Sequence, residues 1–295
     1  MSDPRGVAAP RDAVDLPGPP PAAPAGVTGA APAQSRRSWG AVVHVLGNWL
    51  APALLVCALL AGWEAWVRLR DVQAYLLPPP SAVAQALADE PMRYVDAARL
   101  SLTAALGGLL VASAIAFTLA VVMAHSRPLE RALYPPALMI KVTPIVAVYP
   151  LFTIWFGFGI WPKMLIAALI TFFPMLVNAV VGLRSIDPSA LDFMRALDAS
   201  RWQIFWRLRL PSSLPYVFAA LRISVPLSLI GAVVAEFLSG SSGMGQLILI
   251  ANGDFDTPAL FGAVVVLAVL GVSLTALVSY LERRVLFWQE STVGP

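Results

Sequence analysis

The reactive side chains of this 295-residue chain are few and scattered. It has two histidines, His44 and His125, one cysteine, Cys57, and two lysines, Lys141 and Lys163. A catalytic centre needs a nucleophile, a base and an orienting group in one place, and no Ser/His/Asp set or carboxylate pair falls together here. Asp254 and Asp256 supply two carboxylates, too few for the roughly six to eight oxygens a calcium ion takes, and read as a solvated loop. Cys57 lies in an apolar run and reads as a small hydrophobe. A P-loop needs Gly-Lys-Ser or Gly-Lys-Thr, but Val142 follows Lys141 and Met164 follows Lys163. Charge gathers instead in one stretch, where Asp187, Asp192, Arg195, Asp198, Arg201, Arg207 and Arg209 stand between long apolar runs.

The elements around that stretch follow from composition. The chain is 58% hydrophobic and 13% charged, against about 25% charged in a soluble domain, so much of its surface must face lipid. A net charge of +3 gives no reason to expect nucleic acid. Residues 1–38, with "LPGPPPAAPAGVTGAAPAQ", are Pro/Ala/Gly-rich without period and read as a disordered tail. The remainder, 39–290, holds six runs long enough for a core of about 30 Å at about 1.5 Å per residue. They lie at about 42–63, 100–124, 138–159, 162–183, 214–238 and 258–281. The expected fold is therefore an all-α, multi-pass membrane protein with both termini on one side. Eleven basic residues (Arg36, Arg37, Arg127, Arg131, Arg184, Arg195, Arg201, Arg207, Arg209, Arg283 and Arg284) fall on the side of the termini. Five (Arg68, Arg70, Arg93, Arg99 and Lys163) fall on the other, which puts the termini in the cytoplasm. Pro144, Pro150, Pro174 and Pro226 kink the middle spans, as helix-packed transport bundles tolerate.

The stretch from 187 to 210, between the fourth and fifth spans, carries helix signals. Asp187-Pro188 is an N-cap followed by proline at the first helical position. Ala190, Leu191, Met194 and Leu197 form an apolar stripe, with Asp192, Arg195 and Asp198 off it. After a break near Ala199, Ser200 and Gln203 fit a capping box; Trp202, Phe205 and Trp206 share a face, and Pro211 is expected to end that helix. A well-capped amphipathic helix at a membrane surface is a docking element, beyond what the usual connection of two to eight residues requires.

These residues resemble the cytoplasmic loop of bacterial ABC importer permeases of the nitrate/sulfonate/taurine group, whose pattern begins Glu-Ala-Ala, continues through a Gly and ends in Leu-Pro. Leu210-Pro211 matches the end. Asp192 falls on the family's Glu, Phe193 and Met194 on its alanines, and Asp198, beside Ala199-Ser200-Arg201, on its glycine. Asp keeps the negative charge with a shorter reach, and Asp can adopt the left-handed conformation that Gly favours, at a cost. Further matching strings follow in order: "LLPPPSAV" (76–83), "LFTIWFGFG" (151–159), "FFPMLVNAVVGLRSID" (172–187), "LPYVFAALR" (214–222), "VVAEF" (233–237) and "SSGMGQLI" (241–248).

The resemblance implies an inner-membrane permease subunit, working beside two ATPase subunits, a second permease copy and an extracytoplasmic solute-binding protein, and taking no cofactor. The ATPase-coupling residues it implies are Asp187, Leu191, Asp192, Met194, Arg195, Leu197, Asp198, Ala199 and Ser200. The translocation path draws on Pro144, Arg222 and Glu236, the last two being charges inside the fifth span. Glu236 lies 14 residues beyond Arg222, about 21 Å along a helix, so the two cannot pair. Lys141 is expected to anchor the inner end of the third span. The expected substrates are a sulfonate-, taurine- or nitrate-like anion or a compound like a thiamine precursor. An ATP-independent carrier or channel is the alternative reading.

Overall fold

The structure, a computed structural model, describes residues 38–287, with side chains from Leu50 onward. The expected tail at 1–38, Arg36 and Arg37 lie essentially outside the described residues, and only Ser38 of that range is seen, opening a helix. Contacts divide the chain between Leu55 and Val56. Within the first unit the described residues are the opening part of α1 (Ser38–Leu69). The second unit begins inside the same helix and carries the rest of the fold.

Every regular element among the described residues is helical: α2 (Pro80–Asp89), α3 (Pro91–His125), α4 (Arg127–Val142), α5 (Ile145–Phe156), α6 (Ile160–Arg184), α7 (Pro188–Ala196), α8 (Arg201–Ile204), a π-turn (Phe205–Arg209), α9 (Leu210–Ser239), α10 (Met244–Gly253) and α11 (Thr257–Val285). Five helices are long and apolar enough to cross a membrane, and α4 with α5 makes a sixth crossing if the bent pair is one span.

The centre is α3, α6 and α9. Lipid offers no hydrophobic drive between helices, so close association depends on small residues that let backbones meet. α3 supplies Ala104, Ala105, Gly108, Ala112, Ala116 and Ala120, all buried, at helical spacing along one face. A Cβ on Gly108 would overlap the Met164 carbonyl of α6 and stand 2.6 Å from the Ala167 Cβ. One on Gly231 of α9 would stand 2.8 Å from the Ala167 Cα. Gly108, Ala167 and Gly231 thus let three spans share one line of backbone contact.

The helices meet at two ends. At one, Arg184 of α6 makes paired hydrogen bonds of 2.7 Å to both oxygens of Glu130 in α4, and donates at 2.8 Å to the Met123 carbonyl of α3. His125 and Phe205 rings lie 5.9 Å apart there. At the other end, Tyr94 of α3 reaches the Ala259 carbonyl of α11, and Thr257 donates to the Tyr75 carbonyl at 2.7 Å.

The kink expected of Pro144 in the span over 138–159 is a sharp corner: α4 and α5 meet at 99°. Pro144 has no N–H to continue the helix and disfavours the helical conformation at Thr143, which turns extended at ψ 128° and closes α4 with its N–H and hydroxyl on the Met139 carbonyl. Pro211 does not end a helix. The chain is helical from Arg201 to Ser239, because the π-turn just before the proline shifts the ladder, Leu210 N–H reaching back five residues to Phe205, and the wider turn admits the ring. The structure also adds two short helices, α2 and α10, at the same end as Tyr94 and Thr257.

Candidate functional site

α7 stands between α6 and the Arg201–Ser239 helix, and local chemistry holds both its ends. The Asp187 carboxylate accepts the Ser189 N–H at 2.8 Å, and Pro188 occupies the first turn. At the far end Ala199 N–H donates to Met194 O at 3.0 Å and Asp198 N–H to Arg195 O at 2.9 Å. These are the two bonds of a Schellman turn, whose penultimate residue must be left-handed; Asp198 takes that place at φ +52°. Two residues later Ser200 and Gln203 make the reciprocal capping box, with bonds of 3.3 and 2.8 Å. Asp187, Leu191, Asp192, Met194, Arg195, Leu197, Asp198, Ala199 and Ser200 are therefore brought together in one capped helix and its exit turn.

No residue of α7 is buried. Ala190, Leu191 and Met194 are half-covered, whereas Phe193 is 64% and Leu197 63% exposed. The apolar groups left open are thus Phe193 and Leu197, one helical turn apart. This differs from the expected stripe, which included Leu197 but passed over Phe193, although the i, i+4 spacing of the two was available to find it. Asp192 and Arg195 pair at 3.3 Å on the exposed face, an arrangement worth little by itself.

The three residues expected on a path are not brought together. Pro144 is the exposed corner of the α4–α5 bend. Arg222 pairs with Glu282 of α11, a partner in another span that sequence position could not reveal. Glu236 is fully buried near the opposite end of α9. Both its oxygens accept the Ser101 hydroxyl of α3, at 2.8 Å each, and one accepts Gly245 N–H at 2.9 Å. Since Ser101 Oγ also accepts Met244 N–H at 2.9 Å, Glu236 and Ser101 together cap the start of α10. Gly243, at φ +111°, lies so close that any Cβ would overlap the Glu236 carboxyl. From α6, Lys163 grips the same turn through the Ser241 and Ser242 carbonyls and the Ser242 hydroxyl, at 2.6, 2.7 and 3.0 Å. Lys141 instead sits 4.9 Å over the Phe173 ring. Asp256 caps α11 through Ala259 N–H at 3.1 Å.

Such an arrangement binds helices to one another and presents a docking element; it offers no reaction centre, and the described residues hold no group of three or more metal-ligating side chains. Residues 112–287 match the family described as binding-protein-dependent transport system inner membrane component. The chain belongs to this family. It is a multi-pass inner-membrane permease of the ABC importer type, the transport path and not the ATPase, which is a separate subunit beside a solute-binding protein.

Among its relatives, this permease is 42% identical to the riboflavin transport system permease protein RibX of Chloroflexus aurantiacus, across 79% of this chain and 88% of that protein. It is 33% identical to the formylaminopyrimidine transport permease protein ThiX of Halalkalibacterium halodurans, across 82% and 96%. To the putative aliphatic sulfonates transport permease protein SsuC of Bacillus subtilis it is 30% identical, across 84% and 90%. An inward-facing structure of the MetNI methionine ABC transporter matches in fold, with a TM-score of 0.58 at 18% identity, across 66% of this chain and 98% of that one.

Proposed function

We propose that the separate ATPase docks on the permease at α7, with the open Phe193 and Leu197 side chains entering an apolar groove on that subunit and the Asp198 turn setting the angle of entry. The carrying observation is that α7 is capped at both ends yet leaves its two large apolar groups uncovered. Closure of the ATPase dimer then moves α7, and through it the Arg184 end of α6 and the start of the Arg201–Ser239 helix. Since Arg184 is tied to α3 and α4, the push reaches four spans, and it opens the path alternately to either side.

In this reading α7 and both termini are cytoplasmic, and two copies of the permease pair over two ATPases. Pro144, Arg222 and Glu236 act on the path by position: a corner, a tie between spans five and six, and a clasp at the outer end. The solute is a small organic compound delivered by the binding protein. Identity is higher to the two relatives named for nitrogen heterocycles, 42% and 33%, than to those named for aliphatic sulfonates and taurine, 30% and 28%, so we place a flavin- or pyrimidine-like compound ahead of a sulfonate. The test is copurification with the ATPase from detergent: Leu197→Asp should release it and Leu197→Met should keep it. Retention by Leu197→Asp overturns the site, and solute uptake by the permease alone in vesicles lacking ATP would favour a carrier instead. Stimulation of ATP hydrolysis by riboflavin, formylaminopyrimidine or taurine, each with its binding protein, separates the substrate classes.

A further inference from the structure

α6 gives the depth scale of the bundle. Lys163 and Arg184 are its two charges, and residues 164–183 between them carry none. From one to the other is about 32 Å at about 1.5 Å per residue, against about 30 Å of hydrocarbon. Phe173 stands close to halfway, about 15 Å from Lys163 along the helix. The Lys141 ammonium lies 4.9 Å over its ring. A residue expected at the inner end of the third span therefore carries its charge to the middle of the membrane.

Lys141 is exposed on the bundle, and a charge at that depth turns to the bundle interior, a water-filled cavity or a counter-charge, away from lipid. Among the described residues, no acid of the spans is left to pair with it. Glu64 pairs with Arg68, Asp96 with Arg99, Glu130 with Arg184 and Glu282 with Arg222, while Glu236 is held by Ser101 and Gly245. A second copy of the chain would bring the same lysine and the same engaged acids. The backbone beside Lys141 has the same requirement. Thr143, Pro144 and Val146 are exposed at the corner, and α5 opens without a side-chain cap. Ile145 packs in one cluster with Ile166 and Leu169, so the corner lies inside the hydrocarbon, where bare backbone lines water or protein and not lipid. Broken helices at such depth are where transport bundles hold their solutes.

Aromatic faces complete the place. Tyr134 meets the same Phe173 ring at 6.3 Å between centroids and is 43% exposed, and Phe173 is half-buried. We infer that Lys141, Tyr134 and Phe173 form a solute site on the transport path. It takes a flat heterocycle whose ring lies against the two aromatic side chains and whose electron-rich oxygens accept from the ammonium, which has three hydrogens to donate. The inference rests on the reading of the solute as flavin- or pyrimidine-like and says where that solute is held. A sulfonate such as taurine has the oxygens and lacks the ring.

The test places Lys141→Cys in a Cys57→Ser background of the full chain, copurified with its ATPase. A charged methanethiosulfonate should label it, because the reactive thiolate forms in water and not in hydrocarbon. Riboflavin or formylaminopyrimidine in excess should slow labelling several-fold, and taurine should not. In liposomes with the binding protein and ATP, Lys141→Gln and Phe173→Leu should each lower uptake of the protecting compound several-fold, and Lys141→Arg should recover most of it. Each variant should still copurify with the ATPase, which separates loss of the site from loss of the fold. An unreactive thiol, protection by neither ring compound, protection by taurine, or full uptake in Phe173→Leu overturns the site. If riboflavin stimulates ATP hydrolysis while Lys141→Cys stays unprotected, the site fails and the heterocycle reading stands; if taurine alone stimulates it, both fail.

Discussion

Two acidic residues are placed where acids are normally costly, and each yields a prediction. Asp198 holds a left-handed conformation that costs a non-glycine residue about 1–2 kcal/mol. Asp198→Gly should therefore preserve or strengthen the α7 exit turn, while Asp198→Val, branched at Cβ, should break the Schellman bonds. ATPase copurification should persist in the first and fall several-fold in the second. Glu236 is the other case. Removing its carboxylate orphans Gly245 N–H and one partner of Ser101, at about 1–3 kcal/mol per buried unpaired group. Glu236→Ala should lower the thermal midpoint of the purified permease well below that of Glu236→Gln, which keeps an acceptor oxygen. Gly243→Ala should be as harmful as Glu236→Ala, since its Cβ has only the carboxyl's volume to enter.

At the level of helices, what could be read from the sequence followed a physical rule. Caps are local: Asp187 with Pro188, and Ser200 with Gln203, act within three residues and were legible as spacing alone. Long apolar runs were legible as spans for the same reason. The α4–α5 corner was legible only as a kink at Pro144; its angle was not, because hydropathy continues unbroken through the proline and says nothing of direction. Nor was the continuous helix through Pro211, because a π-turn leaves no mark in composition. Glu236 as a clasp was also hidden, since its partner Ser101 lies 135 residues away and only packing of α3 against α9 joins them. That packing is itself testable. Gly108→Leu should disrupt the contact with Met164 and Ala167 and abolish stable extraction in mild detergent. Gly62→Leu, where no atom lies within 4 Å of the added Cβ, should be tolerated.

Across the whole molecule the two ends differ in how firmly they are closed, and this bears on how it works. The end that holds Glu236, Ser101 and Lys163 is stitched by buried or half-buried bonds among α3, α6, α9 and the turn before α10. The end that holds α7 has the exposed Arg184–Glu130 pair, an uncovered helix and unpaired arginines. A transporter pushed from one side needs that contrast: a compliant rim to receive the force and a firm clasp that opens only when the spans tilt. The proposed orientation follows from it and can be checked directly. In a Cys57→Ser background, Ser200→Cys and Asn252→Cys place single thiols at exposed positions at the two ends. In intact cells a membrane-impermeant maleimide should label Asn252→Cys and leave Ser200→Cys unmodified until the membrane is opened. The reverse pattern would put α7 outside, beyond the reach of any cytoplasmic ATPase.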